Sequence, residues 1–450
     1  MQMIVGLLIA IALLVILILK TKVPPFLALV VAAVTVGLIG GMPAEKISSS
    51  ITAGFGGTLG SIGIIIGFGV MMGQLFERTG AAERMALTFI GLFGKKHEHW
   101  AMALTGFIVS IPIFCDSSFV ILSPIAKAIS KKTRRSIVSI GVPLAAGLVI
   151  THSLIPPTPG PLGVAGTFGV DVGNFILLGL LIALPMTIAS CFYALYLGKK
   201  IYQLPADDGE AWIRPEKQEE YTDLNLQSDK ELPSIFTAFL PLVVPIVLIL
   251  ISTLSSAMGA TGMFSTVISF LGTPVIAVGI GLLLAICTLA RRIPRDEVLK
   301  EMSKGLSSAG TIVFVTGAGG ALGQILKDSG TGAFIAEKLA AASIPVIILP
   351  FLIATLVRFI QGSGTVAMIT AAGICAPIIQ ASDANPLLGA FACCIGSLFF
   401  SWFNDSYFWV VNNLMGFTDT REQIRVWSVT STIAWAVGFV MLLVFNIFMK

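Results

Sequence analysis

Four ionisable side chains stand inside long apolar stretches of this 450-residue chain: Asp116, His152, Arg358 and Asp405. A charge at bilayer depth is costly unless it is paired, so such residues are functional candidates by default. Each lies at or near a polar or proline-rich interruption. These are Cys115-Asp116-Ser117-Ser118, Pro156 to Pro161, Gln361-Gly362-Ser363-Gly364-Thr365, and Asn404-Asp405-Ser406. Backbone that leaves a helix inside a membrane is tolerated only where protein buries it or it lines a wet cavity. Hydroxyls, amides and helix N-termini gathered at such breaks suit an anion. The expected substrate-binding set is therefore Ser117, Ser118, Thr158, Gly160, Arg358, Gln361, Gly362, Ser363, Gly364, Thr365, Asn404 and Ser406. Asp116, His152 and Asp405 are the proton-coupling candidates.

Each assignment has a plainer competitor. Arg358 reads equally as a clamp on a planar carboxylate or as a structural ion pair with Asp116 or Asp405. For the two aspartates, proton carriage or hydroxyl recognition competes with capping of the adjoining half-helix. Function is favoured because both sit at breaks. His152, one helical turn before the prolines, is either a packing residue or a proton relay. His97 and His99 read as solvated members of a charged flank. The six cysteines show no CxxC spacing and read as small buried hydrophobes. No metal or cofactor is expected. Gly317-Ala-Gly-Gly-Ala-Leu-Gly323 superficially resembles a dinucleotide-binding loop, but it lies in a continuous apolar span and reads as close helix packing.

The elements that must hold these residues follow from composition and charge. Hydrophobic residues make up 56% of the chain and charged ones 12%, against about a quarter charged in a soluble domain. With 28 basic and 24 acidic residues, most of the surface must face lipid. That excludes a cytosolic enzyme, a secreted disulfide scaffold and a disordered regulator. The net charge of +4 is too small and scattered for nucleic-acid binding. Met1 to Leu19 has no cleavable-signal pattern and reads as a first span. Ten apolar runs reach spanning length, and two further stretches, about 101–130 and 343–379, are broken near the middle. Treating the first as a re-entrant hairpin puts Lys20, Lys22, Lys95, Lys96, Lys131 to Arg135, Lys199, Lys200 and Arg291 to Lys304 on one cytoplasmic face. Both termini are then periplasmic.

A repeat organises the whole. Gly60, Gly67, Gly69, Gly73, Gln74 and Gly80 recur as Gly310, Gly317, Gly319, Gly323, Gln324 and Gly330. The expected fold is an all-α polytopic membrane protein of two repeats with five crossings each, the second inverted. Residues 1–200 hold one repeat, with its hairpin at about 101–130 and a broken helix at about 138–165. A cytoplasmic linker covers 201–232. Residues 233–450 hold the other repeat, with its hairpin at about 343–379 and a broken helix at about 385–415. Inverted repeats with discontinuous helices point to a secondary transporter with a site near the midplane. A sodium-coupled carrier keeps the same fold. A membrane-embedded enzyme finds little support, because no paired acid/base set, HExxH or GxSxG is present.

Several motifs resemble those of the gluconate permease (GntP-type) family, within the ion-transporter superfamily. They are Gly57-Thr-Leu-Gly-Ser-Ile-Gly63, Ile64 to Gly73, His152 to Pro161, Gln361-Gly-Ser-Gly-Thr-Val-Ala-Met368, and Asn404-Asp-Ser406 with Phe408-Trp409. The resemblance covers nearly the whole chain. It implies proton-coupled uptake of a sugar acid or small hydroxy acid across a bacterial inner membrane. The superfamily implies an elevator motion and a homodimer through the scaffold. The chain departs from the family pattern at Asp116-Ser-Ser-Phe119, Thr158, Trp402 and Tyr407. The bulk of Trp402 and Tyr407 is expected to shrink the cavity and favour a shorter acid.

Overall fold

The computed structural model describes residues 23–93, 97–206, 211–215, 231–258, 261–341, 345–402 and 404–449, with seven positions between 6 and 17. Most of the expected first span and most of the linker, including Asp207, Asp208, Glu210, Glu216, Glu219 and Glu220, lie outside the described residues. The first half runs α1 (Pro25–Ile39), α2 (Ala44–Thr79), α3 (Ala81–Phe93), α4 (Glu98–Val109), α5 (Cys115–Thr133), α6 (Ile137–Leu154), α7 (Pro159–Phe168) and α8 (Val172–Lys200). A two-stranded antiparallel ribbon, β1 (Leu204–Pro205) and β2 (Trp212–Ile213), follows. The second half runs α9 (Ile235–Ala257), α10 (Met263–Leu271), α11 (Pro274–Leu289), α12 (Arg295–Asp328), α13 (Thr331–Ala341), α14 (Ile348–Gln361), α15 (Gly364–Gln380), α16 (Pro386–Gly396), α17 (Ser406–Leu414) and α18 (Thr420–Phe448). From α2 to α8 and from α12 to α18 the order is the same. A long helix and a short one are followed by a helical hairpin, a helix pair interrupted by unwound chain, and a final long helix.

The two long helices α2 and α12 pack against each other more extensively than any other pair. Glycine makes this possible. A methyl group at Gly54 or Gly320 would run into the other residue's carbonyl oxygen, so only bare backbone permits the crossing. Ser50 donates to Asp328 at 2.6 Å at one end of the pair, and Arg78 meets Glu297 at the other. The Gly317–Gly323 run thus lies within α12 as a packing surface. Almost every residue of α6 is buried, whereas α9 and α18 present most of their apolar side chains outward. Apolar surface facing away from the core is what a lipid solvent requires.

Five helices are long and apolar enough to cross a membrane alone, and two bent pairs raise this to seven among the described residues. Of the three expected crossings not in this count, 3–19 lies mostly outside the described residues, α1 is only 15 residues long, and the span at about 385–415 is split into α16 and α17. Pieces such as α14 and α16 are apolar but too short to span singly.

The breaks differ from expectation in detail. In the first hairpin the unwound segment is 110–114, around Pro112, so Asp116 to Ser118 belong to the first turn of α5. In the ninth span, unwinding covers 397–402 and 404–405 rather than Asn404 to Ser406 alone. Apolar Leu398, Phe399 and Phe400 conceal that break in the sequence. Its backbone is satisfied from α18, where Ser428 donates to the Ser401 carbonyl at 2.5 Å and Ser431 accepts the Ser401 N–H at 3.0 Å. Five cysteines are buried as expected, but Cys287 is exposed. His99 is buried rather than solvated, with Nδ1 3.3 Å from Arg135.

Candidate functional site

The N-termini of α5, α15 and α17 and the C-termini of α6 and α14 meet around a cavity of about 320 Å³. Arg358, in the last turn of α14, is buried and pairs with Asp405 through Nη2 and Oδ2 at 2.5 Å. Of the two aspartates weighed as partners, Asp405 is the one paired with Arg358. Asp405 is also the N-cap of α17, accepting the Tyr407 N–H at 3.2 Å. The Ser401 hydroxyl donates to the same Oδ2, and Trp427 Nε1 holds that hydroxyl from behind at 2.9 Å. Nε of Arg358 has no hydrogen-bond partner among the described residues. A buried donor left open beside a cavity awaits an acceptor, because leaving it unsatisfied is costly.

Asp116 accepts the Ser406 hydroxyl at 2.9 Å and lies 3.5 Å from the Cys115 thiol. His152 packs its ring 5.5 Å from that of Phe114, and its Nδ1 is unpartnered among the described residues. The second hairpin tip is shaped by Gly362, whose φ of 89° is left-handed. A side chain there would overlap the Asn404 backbone, so the hairpin tip and the broken span touch through bare backbone. Gln361 accepts the Ser363 N–H at 2.9 Å, and Ser363 caps α15 by accepting the Val366 N–H at 3.3 Å. Asn404 Nδ2 donates to the Phe359 carbonyl at 3.1 Å, a second link between α14 and the break. The first turn of each helix leaves N–H groups without internal partners and carries partial positive charge. Three such turns open on one cavity beside a guanidinium.

Of the expected residues, Asp116, His152, Arg358, Gln361, Gly362, Ser363, Gly364, Thr365, Asn404, Asp405 and Ser406 line this cavity. Ser117, Ser118, Thr158 and Gly160 do not. Successive helical residues point about 100° apart, so with Asp116 facing the cavity Ser117 and Ser118 are turned away, and Ser118 is fully buried. Thr158 bridges its own break, donating to the carbonyls of His152 at 2.9 Å and Ile155 at 2.8 Å. Gly160 abuts the Met368 sulfur. Val149, Ser153, Ser397 and Leu398 also line the cavity and were not anticipated. Ser153 follows His152 directly, a usable signal; Ser397 is marked only by the hidden start of the unwound chain. Tyr407 borders the cavity as expected, with its hydroxyl donating to the Ala145 carbonyl at 3.1 Å. Trp402 does not, because its ring stacks on Phe359 at 4.5 Å.

The model of the GntP family permease matches residues 2–448. The chain belongs to the GntP permease family. This GntP permease is 49% identical to an uncharacterized permease of Haemophilus influenzae over 99% of the chain and 92% of the relative. It is 36% identical to the high-affinity gluconate transporter of Escherichia coli, covering 97% of the chain and 98% of that protein. To the Escherichia coli Gnt-II system L-idonate transporter it is 34% identical, covering 97% of each. In architecture it is similar to the YdaH transporter of Alcanivorax borkumensis, with a TM-score of 0.63 at 14% identity over 90% of both chains. A similar likeness, TM-score 0.62 at 14% identity, holds for Neisseria gonorrhoeae MtrF over 90% of this chain and 85% of that one. The GntP permease is thus a predominantly helical, multi-pass membrane transporter and not an enzyme.

Proposed function

We propose that this permease is a secondary active transporter importing a small hydroxylated carboxylate by proton symport. The substrate is a gluconate-like sugar acid or a shorter hydroxy acid. The observation that carries this reading is Arg358, a buried guanidinium with an open Nε–H beside a polar cavity ringed by helix N-termini. Gluconate and L-idonate, which the relatives' names specify, are polyhydroxylated carboxylates. Arg358 and the first turn of α15 bind the carboxylate. Asp116, Asn404 and Ser406 meet hydroxyls, and Asp116, His152 and Asp405 are the groups available to carry protons. The hairpins and broken helices (α4–α7 and α14–α17) move as an elevator against a scaffold centred on α2 and α12. The second repeat is inverted relative to the first. The protein resides in a bacterial inner membrane with both termini periplasmic, as a homodimer through its scaffold.

Purified permease in liposomes is expected to accumulate gluconate when a pH gradient, acidic outside, is imposed. Uptake driven instead by a sodium gradient at equal pH would replace the proton with sodium. Uptake indifferent to both would make the protein a passive carrier.

A further inference from the structure

The charges at the cavity do not balance. One guanidinium, Arg358, faces two carboxylates, Asp116 and Asp405, and among the described residues only Asp405 touches it. A bound substrate would add a third carboxylate to the same buried place. We propose that substrate carboxylate and Asp405 compete for Arg358, and that Asp405 takes up a proton when the substrate displaces it. This rests on the carboxylate-transport reading above and deepens it by naming the coupling group.

The neighbours of Asp405 make the exchange specific. Oδ2 holds both the guanidinium and the Ser401 hydroxyl, while Oδ1 holds the Tyr407 N–H. Losing the guanidinium leaves Asp405 with neutral donors only. The other titratable groups facing it are Asp116 and Cys115 on α5, Tyr407 on α17, and His152 across the cavity. None of these is held by the guanidinium. The side chains of α18 behind it, Trp427, Ser428 and Ser431, are uncharged. An uncompensated carboxylate in a buried site is unfavourable by far more than a hydrogen-bond rearrangement, so the departing Asp405 is neutralised. The step balances: the carboxylate of Asp405 plus one proton from the entry-side water gives a carboxylic acid. The substrate anion inherits the ion pair, and the net charge of the site is unchanged. Asp116, held by Ser406 and Cys115 and not by the guanidinium, loses no ion-pair partner when Arg358 changes hands and so gains no proton from the event. Linkage is reciprocal, so protonation of Asp405 must tighten substrate binding by the factor with which substrate favours the proton.

Calorimetric titration of the purified full-length permease with D-gluconate, in two buffers of different ionisation enthalpy, counts protons taken up per ligand. The wild type is expected to take up about one proton, with affinity falling about tenfold per pH unit on the alkaline side. Asp405→Asn, which imitates the neutral acid, is expected to bind gluconate with no proton uptake and a flat pH profile. Gluconate binding by the wild type without proton uptake overturns the proposal, and this outcome stands even if the Asn variant does not fold. Proton uptake that survives in Asp405→Asn, or that vanishes in Asp116→Asn while gluconate still binds, overturns it as well. Failure of the wild type to bind gluconate or any of a panel of shorter hydroxy acids is a different result. It removes the substrate reading and takes this proposal with it.

Discussion

Arg358→Lys retains a cation beside Asp405 but loses the planar fork, and with it the unpartnered Nε–H. Lysine is a point charge and cannot grip a planar carboxylate through two parallel hydrogen bonds as the guanidinium can. Apparent affinity for gluconate is expected to fall at least about tenfold, equivalent to roughly 1.4 kcal/mol. Initial uptake rates measured against concentration test this, and an unchanged KM would remove Arg358 from substrate binding. Gly362→Ala probes the hairpin tip. Both its φ of 89° and the overlap with the Asn404 backbone oppose a side chain, so a loss of about 1–3 kcal/mol is expected. Gly41, at φ 74° with open space around it, supplies the comparison. Gly362→Ala should lower the Tm in detergent clearly more than Gly41→Ala does.

At the level of elements, the interruptions are held together by side chains that the sequence suggested for binding. Thr158 is the clearest case, since its hydroxyl serves two carbonyls where α6 stops. Thr158→Val keeps the shape and removes the donor, so stability should drop by about 0.5–1.5 kcal/mol while KM changes little. A large rise in KM with an unchanged Tm would return Thr158 to the site. The breaks themselves were legible because proline, glycine and small polar residues interrupt apolar runs. Their extents were not. The unwound residues 397–402 and 404–405 include a run of large apolar side chains, and partners of that backbone come from α18, some thirty residues later. A periodicity reading sees local preference, and here tertiary partners decide how far the helix unwinds.

For the whole molecule, topology is the testable consequence of charge placement. Lys46, at the start of α2, and Lys199, at the end of α8, are both exposed. With Cys287 replaced by serine, Lys46→Cys is expected to react with a membrane-impermeant maleimide added to intact cells. Lys199→Cys should react only after permeabilisation. The reverse pattern would turn the molecule over, and labelling of both from outside would contradict the assignment of basic clusters to one face.

The sequence alone determined that this chain lives in lipid, because 52 charged residues (28 basic and 24 acidic) cannot cover a soluble protein of its length. It also marked the four interruptions and the four ionisable residues beside them, because burying such groups without purpose is too costly to persist. What it could not decide was partnership. Arg358 and Asp405 are separated by 47 positions, and Asp116 and Ser406 by 290. Which carboxylate neutralises the guanidinium, and which residues of a helical turn face the cavity, depend on how separate helix ends meet. Only the packed structure brings those ends together, and it leaves one cation facing two acids.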